Sequence, residues 1–520
     1  MNRLNNFDNI KAGARLLVVA LAFGLSGSPV LLCAQDYTPR LKPLTESQRQ
    51  ALRLIPEWRP AARAGEEPLP VCVDNTTLKY FPQVFNQGSN NSCSQASGVR
   101  YVYSYEVNRL LDRDASDPAN VFCYHFTWNF LNDGENQGSH AFLGYDLMKE
   151  CGALNLVQMP DQAYSYAQQT QWLSGYQTYI DAMKFRVKGY SKINLKTRDG
   201  LNRLRRYLYD HGEGNASGGV VTISYKTDDW GYKVYSGPRL TDIRSVVTKE
   251  GTDGPHAITV VGYDDTVEYD FDGNGTISDD ERGALIFINS WGEDWGTAGK
   301  CYLPYSVVLA APDDNGLSEG DADAYMVEPS FEAPKMVFKV KMQYNRRNEL
   351  SLMLGVSDGA DALLPLYEMS PTLMNNQGGA NPMQGYNAPE DIEIAFCFDR
   401  YYDRVCTFRE PKFFLTVRRV AARGKGKLVE FSVVDLVSGM EYKSTQHNLD
   451  LSGGQIVMTT GRTPVSVYSS CSPWLWLVPG TSAPRPSTFV ISTAKGQKRK
   501  FQVNGYDARS GKLTIKHQKL

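Results

Sequence analysis

Hydrophobic and polar positions follow a helical period in one part of this chain and a strand period in others. Apolar residues recur at helical spacing at Ala96, Val99, Tyr103, Val107 and Leu110. Strand-like apolar runs follow later, namely GVVTISY at 219–225, HAITVVGY at 256–263 and ALIFINSW at 284–291. The pattern predicts a helical part followed by a mostly antiparallel sheet within residues 71–330.

Beyond Pro334 the pattern changes to short apolar alternations that are separated by glycine, asparagine and proline. The clearest runs are KMVFKVKMQY, KFFLTVRRV, KLVEFSVVDLV and STFVISTA. Several short strands with frequent turn signals predict an all-β, sandwich-like domain over residues 331–520. The glycine- and asparagine-rich stretch at 374–387 is expected to be a long loop, and the chain as a whole is expected to be α+β.

Residues 1–34 have the pattern of a secretory signal peptide, with basic residues before the apolar run LLVVALAFGL and a cleavage site after Ala34. The run is shorter than the ~20 residues that a membrane-spanning helix needs. Lipid attachment at Cys33 is disfavoured because the bulky Leu32 precedes it. We therefore expect an exported protein, secreted or periplasmic, and no later segment is apolar enough to span a membrane.

Residues 35–70 form a short polar extension in which Thr45 and Gln48 have capping-box spacing and predict a helix. The 520 residues are 42% hydrophobic and 22% charged, which indicates a globular chain with more than one core. A formal net charge of -2 gives no support for nucleic acid or anionic membrane as a partner. Nine cysteines are too few for a disulfide scaffold, although Cys397 and Cys406 are close enough in sequence for a bridge. The sequence carries no signal for an oligomeric state.

Cys93 is the first candidate for chemistry, because it follows the glycine- and serine-rich stretch NQGSNNSC and precedes the helical periodicity. The start of a helix presents unpaired N–H groups and the positive end of the dipole, which favours a thiolate. A buried thiol that only fills space is the alternative, since free cysteines are among the most commonly buried residues.

A thiolate nucleophile needs an imidazole to carry the proton and a group that orients the imidazole. Among six histidines, His256 alone opens an apolar strand, where its side chain would project from a sheet edge into a cleft. The next strand ends in INSWGEDWG, where Asn289 can accept the imidazole N–H and Trp291 can shield that bond. Three separated segments therefore agree on one chemistry.

These segments, NQGSNNSC, GPHAITVVGYDD and INSWGEDWG in that order, resemble the papain family of cysteine peptidases over residues 70–304. The resemblance implies a two-lobed catalytic domain with a helical lobe, an antiparallel β lobe and a cleft between them. It implies that Cys93 attacks, His256 carries the proton, Asn289 orients His256, and Gln87 forms the oxyanion hole with the Cys93 N–H. A secreted thiol peptidase with peptide or protein substrates, a covalent thioester acyl-enzyme and no organic cofactor would follow.

The chain departs from the family where C-G-S-C-W is usual, because NNSCS lacks the first cysteine and the tryptophan. The stretch NDGENQGSHAF resembles the glycine-bearing wall that hydrogen-bonds the substrate backbone. This resemblance implies that Gly138 and Ser139 bind substrate. Trp291, in the segment INSWGEDWG, is also expected to contact the substrate.

The twelve residues DFDGNGTISDDE match the calcium loop of EF-hands, with glycine at the sixth position. The predicted ligands carry oxygen at the required positions: Asp270, Asp272, Asn274, Thr276, Ser278 and Glu281. We expect a lone structural Ca²⁺ site that holds His256 and Asn289 in register. An acidic surface hairpin is the alternative.

A second functional hypothesis is a catalytically silent binding protein that keeps the papain fold. Its β-rich domain, with the aromatic stretch SPWLWLVP at 472–479, would hold a glycan or a protein. Such a protein has no reason to keep Gln87, Cys93, His256 and Asn289 together, so their joint presence favours the peptidase.

Overall fold

The computed structural model describes residues 44–60, 68–161, 165–214, 217–310, 323–374, 377–461, 488–492, 498–507 and 512–519. All of these residues lie in one compact unit, Tyr37–Leu520. Helices and several sheets give an α+β fold. The predicted signal peptide and the aromatic stretch at 472–479 lie outside the described residues. A search of the described helices for one long and apolar enough to cross a membrane finds none.

The helices of the described residues are mostly short and precede or interrupt the sheets. They are α1 (Glu46–Arg53), α2 (Cys93–Gln95), α3 (Ser104–Leu111), α4 (Tyr124–Leu131), α5 (Ala141–Cys151), α6 (Tyr166–Thr170), α7 (Tyr176–Ala182), α8 (Arg198–Asp210), α9 (Tyr305–Ala310) and α10 (Tyr402–Val405). The capping box predicted from Thr45 and Gln48 is present at the start of α1.

A π-helical segment, Ala96–Tyr103, joins α2 to α3, so that helical backbone runs from residue 93 to residue 111. The predicted helix is therefore confirmed, and of its predicted apolar positions all but Leu110, near the C-terminal end, are buried. These residues share a hydrophobic cluster with sheet residues such as Val261 and Ile286. The packing brings Cys93 at the start of α2 against the sheet.

Nine strands of the described residues form the main sheet. They are β1 (Cys72–Asp74), β2 (Arg186–Asn194), β3 (Val221–Asp228), β4 (Gly231–Val234), β5 (Ser245–Lys249), β6 (Asp253–Glu268), β7 (Arg282–Ile288), β8 (Lys300–Pro304) and β9 (Asp323–Ser330). Their order is β2-β9-β3-β6-β7-β8-β5-β4, and β1 also pairs with β6. All pairs are antiparallel except β5 with β8.

The strand β6 holds His256, which pairs with Tyr225 of β3. β3 and β7 flank β6, but the β7 pairing begins only at Thr259, so His256 pairs with β3 alone near the end of the sheet. The tight antiparallel pairing of β6 with β7 places Asn289, the residue after the end of β7, near the start of β6. Two residues that are 33 positions apart in sequence thus come into contact.

The strand runs predicted beyond Pro334 are present. They are β10 (Met336–Tyr344), β11 (Leu350–Asp358), β12 (Tyr367–Met369), β13 (Ile392–Cys397), β14 (Pro411–Arg419), β15 (Gly426–Asp435), β16 (Glu441–Lys443), β17 (Leu449–Asp450), β18 (Gln455–Thr459), β19 (Thr488–Ser492), β20 (Lys498–Asp507) and β21 (Lys512–Lys519). The strands up to β18 form two sheets, and β19–β21 form a third.

The hydrophobic core does not break at the predicted domain boundary between residues 330 and 331. One cluster contains Phe126 of α4 and Tyr179 of α7 together with Val340 of β10 and Leu415 of β14. The boundary itself stays a prediction. The residues beyond 330 bury apolar side chains of the helical region. This burial contributes to the stability of both parts.

Cys397 and Cys406 do not form the bridge that their sequence separation allows, because both are free thiols. Cys397 is buried at the end of β13, where its Sγ lies 3.1 Å from Nη1 of Arg186. Cys406 follows α10 and is exposed. The two side chains therefore occupy different environments.

Candidate active site

The segment around Gln87 lies beside the segment that follows β7. The backbone N–H of Gln87 donates to the Ser290 carbonyl at 2.9 Å, and the N–H of Gly292 donates to the Phe85 carbonyl at 3.1 Å. These strand-like bonds bring the NQG and NSWG motifs together, although 200 residues of chain separate them. Gln87 is consequently held next to Asn289.

His256 and Asn289 form a buried hydrogen bond. Nε2 of His256 lies 2.8 Å from Oδ1 of Asn289, and both residues are buried, with exposures of 1% and 0%. Since an amide oxygen can only accept, Nε2 carries the hydrogen and Nδ1 keeps its lone pair. Nδ1 has no hydrogen-bond partner among the described residues. This nitrogen is therefore available to accept a proton.

Trp291 covers the imidazole of His256. Their rings stack with centroids 4.7 Å apart and an interplanar angle of 29°. Trp230 and Trp295 pack against Trp291 at 6.1 Å and 5.7 Å and extend the aromatic cover. Excluding water lowers the local dielectric constant, which strengthens the bond between His256 and Asn289.

Cys93 is the first residue of α2 and is buried. The backbone N–H of Ala257, the residue after His256, and the N–H groups at the start of the helix act to lower the pKa of the Cys93 thiol. Burial nevertheless raises the pKa of the Cys93 thiol, and these donors act against that rise. The helix position favours the thiolate, and burial opposes it.

Burial also lowers the pKa of His256 to about 4, and the hydrogen bond to Asn289 acts in the opposite direction. The imidazole is therefore neutral at neutral pH when no negative charge lies beside it. Burial therefore disfavours a thiolate at Cys93 and an imidazolium at His256 when each is considered alone, which is the general effect of desolvation.

The side-chain amide of Gln87 is fixed from both ends. Its Oε1 accepts from the Ser290 hydroxyl at 2.5 Å, and its Nε2 donates to the Asn90 carbonyl at 2.8 Å. The side chain is buried. A donor that is held in place in this way needs no reorganisation to stabilise developing negative charge.

The predicted substrate-binding residues Gly138 and Ser139 lie beside the Cys93 loop. Nε2 of Gln95, two residues after Cys93, donates to the Ser139 hydroxyl at 3.0 Å. The N–H of Asn91 donates to Oδ1 of Asn136 at 2.8 Å. We call residues 136–139 the wall segment.

Sequence reasoning missed the residues that hold the wall segment. Gln95 is fully buried, and its Oε1 accepts from the Thr127 hydroxyl at 3.0 Å. Gln95 directly precedes the first apolar position of the predicted helix, Ala96, and lies four residues before Val99, and this spacing was the signal that could have found it. The sequence around Asn136 carries no comparable signal, because its partner Asn91 belongs to a distant loop.

The predicted calcium loop connects β6 to β7 and folds around its own carboxylates. Oδ2 of Asp270 accepts from the N–H of Gly275 at 2.9 Å, and Oε2 of Glu281 accepts from the N–H of Ser278 at 2.9 Å. These N–H groups lower the pKa of both carboxyls. Carboxylate oxygens of Asp270, Asp272 and Glu281 lie within 4.8 Å of one another.

Other predicted ligands form hydrogen bonds with residues of the same loop. Oδ1 of Asn274 accepts from the N–H of Thr276 at 2.8 Å, and the Ser278 hydroxyl donates to Glu281 at 3.0 Å. An all-oxygen set around three converging carboxylates fits a hard divalent cation such as Ca²⁺. The residues therefore fit the predicted ion.

In a second cluster of possible ligands, Cys123, His125 and Asp161, two of the three side chains have partners within the protein. Asp161 forms an ion pair of 2.7 Å with Arg100, and Nδ1 of His125 lies 3.1 Å from the side-chain nitrogen of Gln168. A cation would have to displace the guanidinium group. We assign no metal to this cluster.

No family model matches the chain, and no curated protein matches it. Solved structures that are similar include xylellain, a cysteine protease from Xylella fastidiosa, with a TM-score of 0.37 and 18% identity over 56% of this chain and 95% of that chain. ProCathepsin B S9 from Trypanosoma congolense has a TM-score of 0.34 and 15% identity over 54% and 88% of the two chains. Procathepsin L2 from the Tenebrio molitor larval midgut has a TM-score of 0.32 and 19% identity over 56% and 78%. At these TM-scores the similarity carries no argument, and the function proposed below rests on the site itself.

Proposed function

We propose that this protein is a cysteine-type peptidase that hydrolyses peptide bonds with Cys93, His256 and Asn289. The observation that carries the proposal is the buried bond from Nε2 of His256 to Asn289, which leaves Nδ1 as the proton acceptor. The start of α2 packs against β6, so Cys93 lies beside the strand that holds His256.

The first step transfers the thiol proton of Cys93 to Nδ1 of His256. Burial disfavours either charge alone, but the thiolate and the imidazolium form together and attract each other at short distance in a medium of low dielectric constant. The N–H groups around the sulfur favour the thiolate, and Asn289 favours the imidazolium. The two residues therefore act as a pair.

The thiolate then attacks the peptide carbonyl carbon, so that an S–C bond forms and the carbonyl π electrons move to oxygen. Nε2 of Gln87 and the backbone N–H of Cys93 donate to this oxyanion. When the intermediate collapses, the C–N bond breaks and the imidazolium of His256 protonates the leaving amine. The product is a thioester on Cys93.

Hydrolysis of the thioester uses the same groups in reverse. His256 takes a proton from water, the resulting hydroxide adds to the thioester carbon, and the C–S bond breaks to release the acid and the thiolate. Asn289 keeps the imidazole oriented through both halves, because its acceptor oxygen fixes rotation of the ring.

The test is cleavage of a peptide library by the wild-type chain and by Cys93→Ala. We expect the wild type to cleave and Cys93→Ala to be inactive, while both have the same melting temperature. Equal cleavage by the two proteins would refute the proposal. A wild type that is folded, unreactive toward peptides and able to bind a glycan or a protein would support the binding-protein alternative.

The proposal also includes the domain organisation of the chain and its export. Residues 71–330 would form a papain-like domain whose cleft lies between the helix that starts at Cys93 and the sheet that holds His256. Residues 331–520 would form an all-β domain packed against its helical part. The chain would be exported by cleavage after Ala34, and N-terminal sequencing of the exported protein tests that site.

We also propose that the loop from Asp270 to Glu281 binds a structural Ca²⁺ ion through its oxygen ligands. The converging carboxylates repel each other without a cation, and a divalent ion removes that repulsion. The loop lies at the far end of the β6–β7 ladder, beyond the pair Glu268 and Arg282, whereas Ile288 pairs near the active site. With a rise of ~3.3 Å per residue the ladder spans roughly 20–30 Å, so we propose that the ion mainly stabilises the hairpin. The expectation that it also holds His256 and Asn289 in register stays a prediction.

A further inference from the structure

A loop from the C-terminal β region packs against the turn that precedes the wall segment. We call residues 377–385 the support loop. A Cβ atom on Gly379 would lie 2.0 Å from the Asp133 carbonyl oxygen, and a Cβ atom on Gly134 would lie 2.5 Å from Nδ2 of Asn381. Both glycines have positive φ, +70° and +69°. The two backbones therefore approach closely because side chains are absent on both sides.

Arg347 anchors the support loop and is fully buried. Its Nε donates to the Gly378 carbonyl at 2.7 Å, and its Nη2 donates to the Thr170 carbonyl at 2.7 Å. The guanidinium group also stacks 4.1 Å from the Trp172 ring centroid. One side chain thus joins the C-terminal β region to α6.

The turn at 132–135, which the support loop contacts, leads directly into the wall segment. The side chain of Asn132 accepts from the N–H of Gly134 at 2.7 Å and donates to the Gln169 carbonyl at 2.9 Å. Four residues further on, Asn136 accepts from Asn91 in the loop before Cys93. The chain of contacts therefore runs from the C-terminal region through the turn to the nucleophile loop.

We propose that the support loop positions the wall segment for substrate binding, so that the C-terminal β region contributes to peptide recognition. The inference rests on the peptidase function proposed above and on binding of the substrate backbone by Gly138 and Ser139. A peptide held by backbone hydrogen bonds is sensitive to the placement of the donors and acceptors, and displacements of about 1 Å can cost about 100-fold in rate. Gly379 and Asn381 are then positioning residues, since neither has to touch the substrate.

The experiment compares Gly379→Ala with Gly439→Ala. Gly439 also has a positive φ, +76°, but a Cβ atom there meets no atom within 4 Å, so it is a matched control for backbone strain. Each protein is treated with iodoacetamide, which needs only the Cys93 thiolate, and with a dipeptidyl epoxide, which also needs the wall segment. Rates are measured by mass spectrometry of the Cys93 peptide.

We expect Gly379→Ala to lose at least about tenfold in the rate with the peptidyl epoxide, equivalent to about 1.4 kcal/mol, with an unchanged iodoacetamide rate. Gly439→Ala should match the wild type with both reagents. If Gly379→Ala does not fold, Asn381→Ala takes its place, because it removes a contact and adds no atoms, and the same difference between reagents is expected.

Equal epoxide rates for the wild type and the support-loop variant would overturn the inference and leave the peptidase proposal intact. Equal losses with both reagents would also overturn it, because they would indicate a general loss of structure. A folded wild type that does not react with the epoxide would instead refute the peptidase proposal, and the inference with it.

Discussion

Replacing Asn289 by alanine tests how much the orientation of His256 contributes to activity. The change removes the oxygen that accepts from Nε2 at 2.8 Å and leaves the buried imidazole without this partner. The same oxygen accepts from the Ser290 N–H at 2.8 Å, so the turn after β7 also loses one bond. The imidazole can then rotate, and its pKa falls further because the bond to Asn289 raises it.

The expected magnitude follows from the charge on the imidazole in the reaction. A hydrogen bond to a charged group contributes about 1.5–3 kcal/mol. Loss of this bond in the transition state therefore lowers kcat/KM about 10- to 150-fold, at 1.36 kcal/mol per factor of ten. The effect should appear mainly in kcat, since Asn289 orients the base and does not hold the peptide.

The assay is steady-state hydrolysis of a peptide ester or amide, with thermal melting of each variant as the measure of folding. Asn75→Ala is the matched control, because Asn75 is also buried and its side chain donates to two backbone carbonyls at 2.8 Å away from the site. Asn289→Asp keeps an acceptor oxygen and should recover part of the activity. A kcat/KM within about threefold of the wild type for Asn289→Ala would refute the reasoning, since the expected loss is at least about tenfold.

Other variants test the remaining groups. Gln87→Ala should lower kcat about 10²- to 10³-fold, the typical effect of one oxyanion donor, while iodoacetamide still labels Cys93; a near-normal kcat would move the oxyanion role elsewhere. His256→Gln should slow labelling of Cys93 at pH 6 by at least about 100-fold, because without an imidazolium the burial-raised pKa leaves little thiolate; equal labelling would show that the two residues are not a pair. Calcium at ten times its Kd should stabilise the protein by about 1.4 kcal/mol in thermal melts, and Asp270→Asn with Glu281→Gln should abolish the effect; a chelator response that persists in the double variant would contradict the site.

The main elements near the site could be predicted from sequence because their patterns are local. The helix that starts at Cys93 has buried residues at the predicted spacing, and β6 and β7 contain the predicted apolar runs. The NQG and NSWG motifs pointed to residues that the fold brings together, since Gln87 and Ser290 are hydrogen-bonded. Local periodicity and short motifs carry this information without tertiary structure.

Burial effects were less accessible from the sequence. A helix start predicts a thiolate, but the fold encloses Cys93, so that desolvation raises its pKa. Likewise, the apolar run that His256 opens does not indicate that its strand lies between β3 and β7. Both differences arise from contacts between distant segments, and a residue's own neighbours in sequence do not report those contacts.

The sequence predicted a loop at 374–387 but not the segment that this loop contacts. It was expected only as a loop, and its described residues contact the turn at 132–135 from more than 200 positions away. The signal was compositional, because glycines at 378 and 379 allow close backbone approach. Which segment these glycines approach depends on how the C-terminal β region packs. No local sequence pattern encodes that packing.

The most direct test of the peptidase mechanism is detection of the acyl-enzyme. The wild-type chain is mixed with a peptide ester, quenched in acid within the first turnover and digested for mass spectrometry. We predict that the peptide containing Cys93 carries the acyl group of the substrate, that hydroxylamine removes it, and that Cys93→Ala carries none. Turnover of the ester with no adduct at Cys93, or with an adduct on another residue, would contradict the mechanism.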